Sequence, residues 1–206
     1  MPTAGRALRL PIMSTMPVEP EEIHRLSIDD YHRLIESGGL EDARVELIDG
    51  LVVDMSPKSP QHEDAIAWLV RWLRIALDVE AFDMFVTRPL TFETSEPEPD
   101  ITVVSRWSPR NGDSAHPSSA LLVIEVAHSS RSRDLGTKPL VYAPHVAEYW
   151  VVDLDRRCVV VHRDPDGETY RSVTIVADGE SLAPKSVTIS EIDTAALFAA
   201  AFREGA

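Results

Sequence analysis

Apolar and polar positions along the chain alternate with two different periods, and the changes of period divide it into helices and strands. Ser27-Ile28-Asp29-Asp30 has a capping serine followed by acids in a first turn, predicting a short helix through Ile35 that Gly38-Gly39 ends. Arg44-Val45-Glu46-Leu47-Ile48 and Leu51-Val52-Val53-Asp54-Met55 are strand-like runs joined by Asp49-Gly50, a hairpin signal. Ser59-Pro60 reads as an N-cap with proline at the first helical position, and Ala65, Ile66, Leu69, Val70, Leu73, Ala76 and Leu77 repeat at helical spacing behind it. Phe82 to Phe92 predicts one bent strand or two short ones around Pro89, and Ile101 to Val104 another, followed by a Pro-, Ser- and Gly-rich loop from Trp107 to Ser119.

The run Leu121-Leu122-Val123-Ile124-Glu125-Val126-Ala127 predicts a buried strand with a single carboxylate inside it. Beyond it the pattern predicts a helix from about Arg133 to Tyr142, unless Pro139 moves its start to Lys138. Strands Glu148 to Leu154 and Cys158 to Arg163 follow around Asp155-Arg156-Arg157, then one or two strands between Tyr170 and Ile189. Ser190 is expected to cap a last helix to about Phe202. The order is mixed α/β, with a buried central strand flanked by helices.

Length and composition narrow the picture. With 206 residues and 44% hydrophobic content, the chain holds one sizeable core. Residues 1–20, with four prolines and three methionines, are expected to be a disordered leader in which Met13 or Met16 is a possible start, and residues 21–206 a single domain. The lone Cys158 excludes an internal disulfide and fits a reducing, cytoplasmic compartment, and no apolar stretch approaches the ~20 residues that span a bilayer. A formal net charge of -14 argues against binding a polyphosphate, unless a bound divalent ion reverses the charge locally and Arg131, Arg133 and Lys138 concentrate positive charge there.

A lone ionised carboxylate in an apolar strand costs several kcal/mol, about as much as folding leaves to spare, so Glu125 needs a cation, a metal or donors. Asp100, at the start of the Ile101 strand, could share a metal with Glu125 if the two strands are neighbours; pairing of Glu125 with a buried arginine is an equal alternative. Of twenty basic residues only three are lysines, Lys58, Lys138 and Lys185, which makes Lys138 a candidate for chemistry that arginine cannot do. Glu46 alternates with Val45 and Leu47 and by itself reads as a solvated position. His62 lies near the start of the long helix, within reach of a phosphate or metal, or simply on the surface. No histidine spacing suggests zinc, and no glycine-rich phosphate loop is present.

Six pieces occur in order from about Ser27 to Arg163: Arg44-Val45-Glu46-Leu47-Ile48-Asp49-Gly50; Met55-Ser56-Pro57 with Ser59-Pro60-Gln61-His62; Pro99-Asp100-Ile101; Val123-Ile124-Glu125-Val126; Arg133-Asp134-Leu135-Gly136-Thr137-Lys138 with Tyr142; and Glu148-Tyr149-Trp150-Val151-Val152-Asp153. In these the chain resembles the PD-(D/E)xK nuclease superfamily and, within it, the Uma-two family of restriction endonucleases. The resemblance implies a restriction-endonuclease-like mixed β-sheet flanked by helices and a metal-dependent endonuclease acting on DNA with Mg²⁺ (or Mn²⁺). It implies Asp100 and Glu125 as metal-binding acids, the Val126 carbonyl as a further ligand, Glu46 as a supporting acid and Lys138 as the catalytic lysine. His62 and Asp134 fall on family motif positions without an assigned role. The chain departs from the superfamily pattern at Ala127, where the lysine is expected two residues after the acid; Lys138 is the relocated candidate. It also has Pro139 after that lysine, no glycine between Tyr142 and Trp150, and Leu51 after the Asp-Gly. Apolar residues around Trp150 and Val159 would suit a homodimer. The alternatives are a catalytically inactive nuclease-fold binding module and a metal-dependent hydrolase of RNA or small phosphoesters.

Overall fold

A computed structural model describes residues 23–107 and 116–203. The proposed leader and most of the Trp107 to Ser119 loop lie outside the described residues. The elements in chain order are α1 (Ile28–Glu36), β1 (Val45–Ile48), β2 (Leu51–Asp54), α2 (Pro60–Ala76), β3 (Phe82–Val86), β4 (Ile101–Ser105), β5 (Ala120–Ala127), α3 (Arg131–Leu135), α4 (Lys138–Tyr142), β6 (Val146–Asp153), β7 (Cys158–Pro165), β8 (Tyr170–Ala177), β9 (Ser181–Leu182), β10 (Ile192–Asp193) and α5 (Thr194–Ala201). β3 to β8 form a six-stranded sheet in sequence order, β1 pairs with β2 and β9 with β10. All neighbours in the large sheet are antiparallel except β5 and β6, which run parallel through the α3–α4 crossover. The expected mixed α/β sheet with helices on its faces is present.

Period-two alternation sorts the sheet residues onto two faces. Ile101, Val103, Leu122, Ile124, Val126, Trp150, Val152, Val159 and Val161 point to one face, where they pack with Leu69 and Leu73 of α2 and Leu197 and Phe198 of α5. Val104, Val123, Ala127, Tyr149 and Val151 point to the other, which Tyr142 of α4 covers. β5 is therefore buried on both sides, which explains its nearly unbroken apolar run. Trp150 and Val159 are fully buried in the first core, so they offer no surface to a second copy of the chain.

The long helix runs as the periodicity predicts, with Ser59 accepting from His62 N at 3.3 Å and Pro60 in its first turn. The hairpin turn places Asp49 and Gly50 both at positive φ, 48° and 73°. A Cβ on Gly50 would meet Arg25 Cβ at 2.6 Å, so the turn requires glycine twice over.

Three boundaries differ from expectation. Only Phe82–Val86 of the Phe82 to Phe92 stretch is a strand, because Pro89 interrupts the run and Leu90 N turns to Pro97 O instead. In place of one helix from Arg133 to Tyr142 there are two short ones broken at Gly136-Thr137, and the second starts at Lys138 with Pro139 in its first turn, the alternative that the proline offered. The last helix is capped by Asp193, not Ser190, because Ile192 and Asp193 pair with Leu182 and Ser181 before the helix begins.

Candidate metal centre

Register brings the two strand acids together. Ile101 pairs with Ile124 in the antiparallel β4–β5 ladder, so Asp100, one residue before β4, faces Glu125 across the strands. Asp100 N donates to Glu125 Oε2 at 3.4 Å, and Asp100 Oδ2 accepts from Val126 N at 2.9 Å. Both acids are buried. His62, in the first turn of α2, is brought to Asp100 Oδ2 at 3.0 Å. An ionised carboxylate only accepts, so His62 Nε2 carries the proton of this bond. Lys58, from the β2–α2 loop, lies 3.3 Å from Asp100 Oδ1.

α3 and α4 supply the rest. Lys138 Nζ lies 2.7 Å from Glu125 Oε1, 3.3 Å from Glu46 Oε2 and 3.6 Å from Asp134 Oδ1. Tyr142 OH donates to Glu125 Oε1 at 3.0 Å, Arg133 pairs with Glu46 Oε1 at 3.1 Å, and Ser130 Oγ donates to Asp134 Oδ2. The break at Gly136-Thr137 has a geometric use, because it lets Arg133 and Asp134 from one helical turn and Lys138 from the next converge on the same acids.

Of the residues singled out from sequence, Glu46, His62, Asp100, Glu125, Asp134 and Lys138 all line one cleft. Glu46 is 2% exposed, contrary to the solvated position expected of it. Its alternation does send it away from Leu47, but that side is covered by Arg133 and Lys138, some ninety residues later in the chain. The partner of Glu125 is a lysine, not the alternative buried arginine. Arg131, expected near the acids, instead pairs with the buried Asp153 at 2.6 Å. Lys58 was not singled out, although the scarcity of lysine that marks Lys138 applies to it equally. Glu98, a Pro-flanked acid with no distinguishing signal, also lines the cleft, and Tyr142, noted only as part of the fifth motif piece, reaches Glu125.

Burial pushes the Glu125 carboxyl up to about 8, with Lys138 pulling it down and Asp134, Asp100 and Glu46 adding to the rise. Burial likewise raises Asp134 and Glu98. Burial would raise Asp100 too, but the hydrogen bond and charge of His62, Val126 N–H and Lys58 outweigh it and leave that carboxyl below its ordinary value. For Lys138 burial works downward, and Glu125, Glu46 and Asp134 more than reverse it. The raised acid and the raised lysine express one charge balance. Three carboxyl groups face one ammonium, so the lysine stays charged while one of the acids takes up a proton.

The donor set fits a hard divalent cation. Five carboxyl groups (Glu46, Glu98, Asp100, Glu125 and Asp134) line the cleft against three permanent cations, Lys58, Arg133 and Lys138. With all five ionised the cleft would carry two negative charges in excess, the charge that one divalent ion would neutralise as it displaces the proton held on Glu125. Asp134 Oδ1 is buried without a hydrogen bond. Among the described residues no group of three or more His, Cys, Asp or Glu is gathered tightly enough to hold a metal by itself. No helix among the described residues is long and apolar enough to cross a membrane.

No curated protein matches the chain. A crystal structure described as "a putative nuclease belonging to DUF820 from Anabaena variabilis ATCC 29413" superimposes with a TM-score of 0.70 at 18% identity, covering 86% of this chain and 99% of that one. At that identity the likeness establishes the shared fold. The family model described as "Putative restriction endonuclease", Uma2, matches residues 28–195, a span that contains every acid of the cleft as well as Lys58 and Lys138, and the chain belongs to the Uma2 family.

Proposed function

We propose that this protein is a Mg²⁺- or Mn²⁺-dependent endonuclease that hydrolyses DNA phosphodiester bonds at the Glu46–Asp100–Glu125–Lys138 cleft. The observation that carries the reading is the cross-strand pairing of Asp100 with Glu125 while Lys138 Nζ sits 2.7 Å from Glu125 Oε1. It puts two acids on adjacent inner strands of the sheet and a lysine against them, although the lysine is absent from position 127. Family membership supports nuclease activity of this kind.

Asp100 and Glu125 would hold the metal, with the Val126 carbonyl as a further oxygen ligand. The ion, when bound, supplies Lewis-acid charge beside the scissile phosphate. Val126 N–H and His62 fix Asp100 Oδ2 and so aim Oδ1 into the cleft. Tyr142 and Lys138 do the same for Glu125 Oε1, leaving Oε2 with only the long contact to Asp100 N. Lys138 remains protonated among its carboxylates, so its role is to stabilise negative charge developing on the phosphate and not to accept a proton. Glu46 and Asp134 hold the ammonium in place. The DNA would lie across the cleft, and a cytoplasmic setting accords with the single, buried Cys158.

The test is nicking of supercoiled plasmid with Mg²⁺ or Mn²⁺ by the wild type, Asp100→Ala and Lys138→Ala. Relaxed circles are expected only with a divalent ion, and each substitution is expected to reduce their rate by about 100-fold or more. The net charge of -14 favours a rival reading, a nuclease fold that binds without turnover. An intact plasmid together with no Mn²⁺ binding would establish that rival. Cleavage of RNA or small phosphoesters with plasmid untouched would reassign the substrate.

A further inference from the structure

Two of the three lysines in the chain end in this cleft, and they are held differently. Lys138 is surrounded by three carboxyl groups and its side chain is 6% exposed. Lys58 touches one carboxylate oxygen, Asp100 Oδ1, at 3.3 Å, and its side chain is 19% exposed. It lies on the cleft wall in the sequence Pro57-Lys58-Ser59-Pro60, where the flanking prolines restrict the backbone and Ser59 is tied down as the cap of α2.

The other oxygen of Asp100 is already satisfied. Val126 N–H and His62 Nε2 both donate to Oδ2, at 2.9 and 3.0 Å, so the carboxylate is oriented without any help from Lys58. Oδ1 is the oxygen left to face a metal, and the Lys58 ammonium sits on it. The two cations therefore compete for the same atom. Residue type favours exchange over permanent pairing. An arginine, the usual cation of this chain, would fork onto the carboxylate, whereas a lysine presents a hydrated point charge on a flexible stem that leaves easily and is a common phosphate ligand.

We propose that Lys58 is a substrate-binding residue held in reserve: it neutralises Asp100 Oδ1 until that oxygen is given over to a divalent ion, and its ammonium then pairs with a phosphate of the bound DNA. This rests on the metal-dependent nuclease reading and adds to it a residue that couples loading of the site to capture of the substrate.

The experiment compares wild type, Lys58→Met and Lys58→Arg, each checked for an unchanged melting temperature. In calorimetric titration with Mn²⁺ and no DNA, Lys58→Met is expected to bind Mn²⁺ about five-fold more tightly, the gain from removing one competing charge at contact distance in a wet cleft. Fluorescence anisotropy with labelled duplex DNA in Ca²⁺, across a salt series, is expected to show weaker binding by Lys58→Met. The slope of log affinity against log salt should be shallower by about 0.9, one phosphate contact, with the slope restored in Lys58→Arg. Wild-type values of Mn²⁺ affinity and salt slope in Lys58→Met, or Mn²⁺ binding weakened by the substitution, would overturn the proposal and leave Lys58 as a structural counter-charge of Asp100. Absence of Mn²⁺ binding and of cleavage in the wild type itself would overturn the nuclease reading, and this inference with it.

Discussion

Two glutamates occupy neighbouring strands of the same sheet, both almost completely buried, and they live in opposite electrostatic worlds. Glu148 in β6 receives Arg163 Nε at 2.8 Å and Trp150 Nε1 at 2.7 Å on Oε1, and Lys185 N at 2.6 Å and Ser186 N at 3.0 Å on Oε2. Every lone pair that matters is answered by a donor, and one full cation balances the charge. Glu125 in β5 has two good donors on Oε1, only a 3.4 Å contact on Oε2, and three further acids close enough to raise its pKa. A buried acid saturated with donors is a structural device that pins β6 to the 183–186 segment. A buried acid crowded by other acids stores electrostatic repulsion that only a proton or an external cation relieves.

The largest effect expected of breaking this contrast is catalytic. Glu125→Gln keeps the shape of the side chain and its Oε1 acceptor but removes the charge that would hold a metal. Plasmid nicking should fall about 1,000-fold, the several kcal/mol that metal assistance contributes to the barrier. Glu148→Gln should cut normally wherever it folds. Next comes stability. Glu148→Ala strands Arg163 and two backbone donors and should cost about 3–5 kcal/mol in chemical denaturation, with Glu125→Gln showing no such loss.

The dependence on pH separates the two glutamates further. Glu125 is raised to about 8 in the fold, against an ordinary value of 4.5 in the unfolded chain. Between those values the folded state holds one proton more, so metal-free stability should decline as pH rises from about 4.5 to 8, by about 1–3 kcal/mol. Melting in EDTA across that range should show the decline in wild type and a flatter profile in Glu125→Gln. Stabilisation by added Mn²⁺ should follow the opposite trend, growing with pH as the proton it displaces becomes easier to remove. The smallest effect is Tyr142→Phe, which deletes one donor to Glu125 Oε1. It should cost about 1 kcal/mol of stability and shift the onset of Mn²⁺ binding to higher pH, because the ionised acid has lost a stabilising bond.

Legibility from sequence followed the range of the interactions involved. The α2 helix and the β1–β2 hairpin were readable because caps, prolines, Asp-Gly and periodicity are local. The β5 strand was readable because burial on both faces leaves an apolar run in which one acid stands out. Lys138 could be found from the scarcity of lysine, and the same argument pursued to the other lysines would have reached Lys58. What stayed hidden depended on distant partners. The burial of Glu46 comes from Arg133 and Lys138, and the shift of the last cap from Ser190 to Asp193 comes from a two-residue pairing with β9. Glu148 shows the limit most plainly: its strand pattern resembles that of Glu125, and the donors brought by Trp150, by β7 and by the 183–186 segment make it inert.

The most direct measurement is calorimetric titration of Mn²⁺ into wild type, Glu125→Gln and Glu148→Gln at pH 8, repeated in two buffers of different ionisation heat. The account predicts binding with proton release in wild type and in Glu148→Gln, and no binding in Glu125→Gln. A wild type that takes up no Mn²⁺, or a Glu125→Gln protein that binds it as tightly as wild type, would contradict the assignment of the β4–β5 acids as a metal centre.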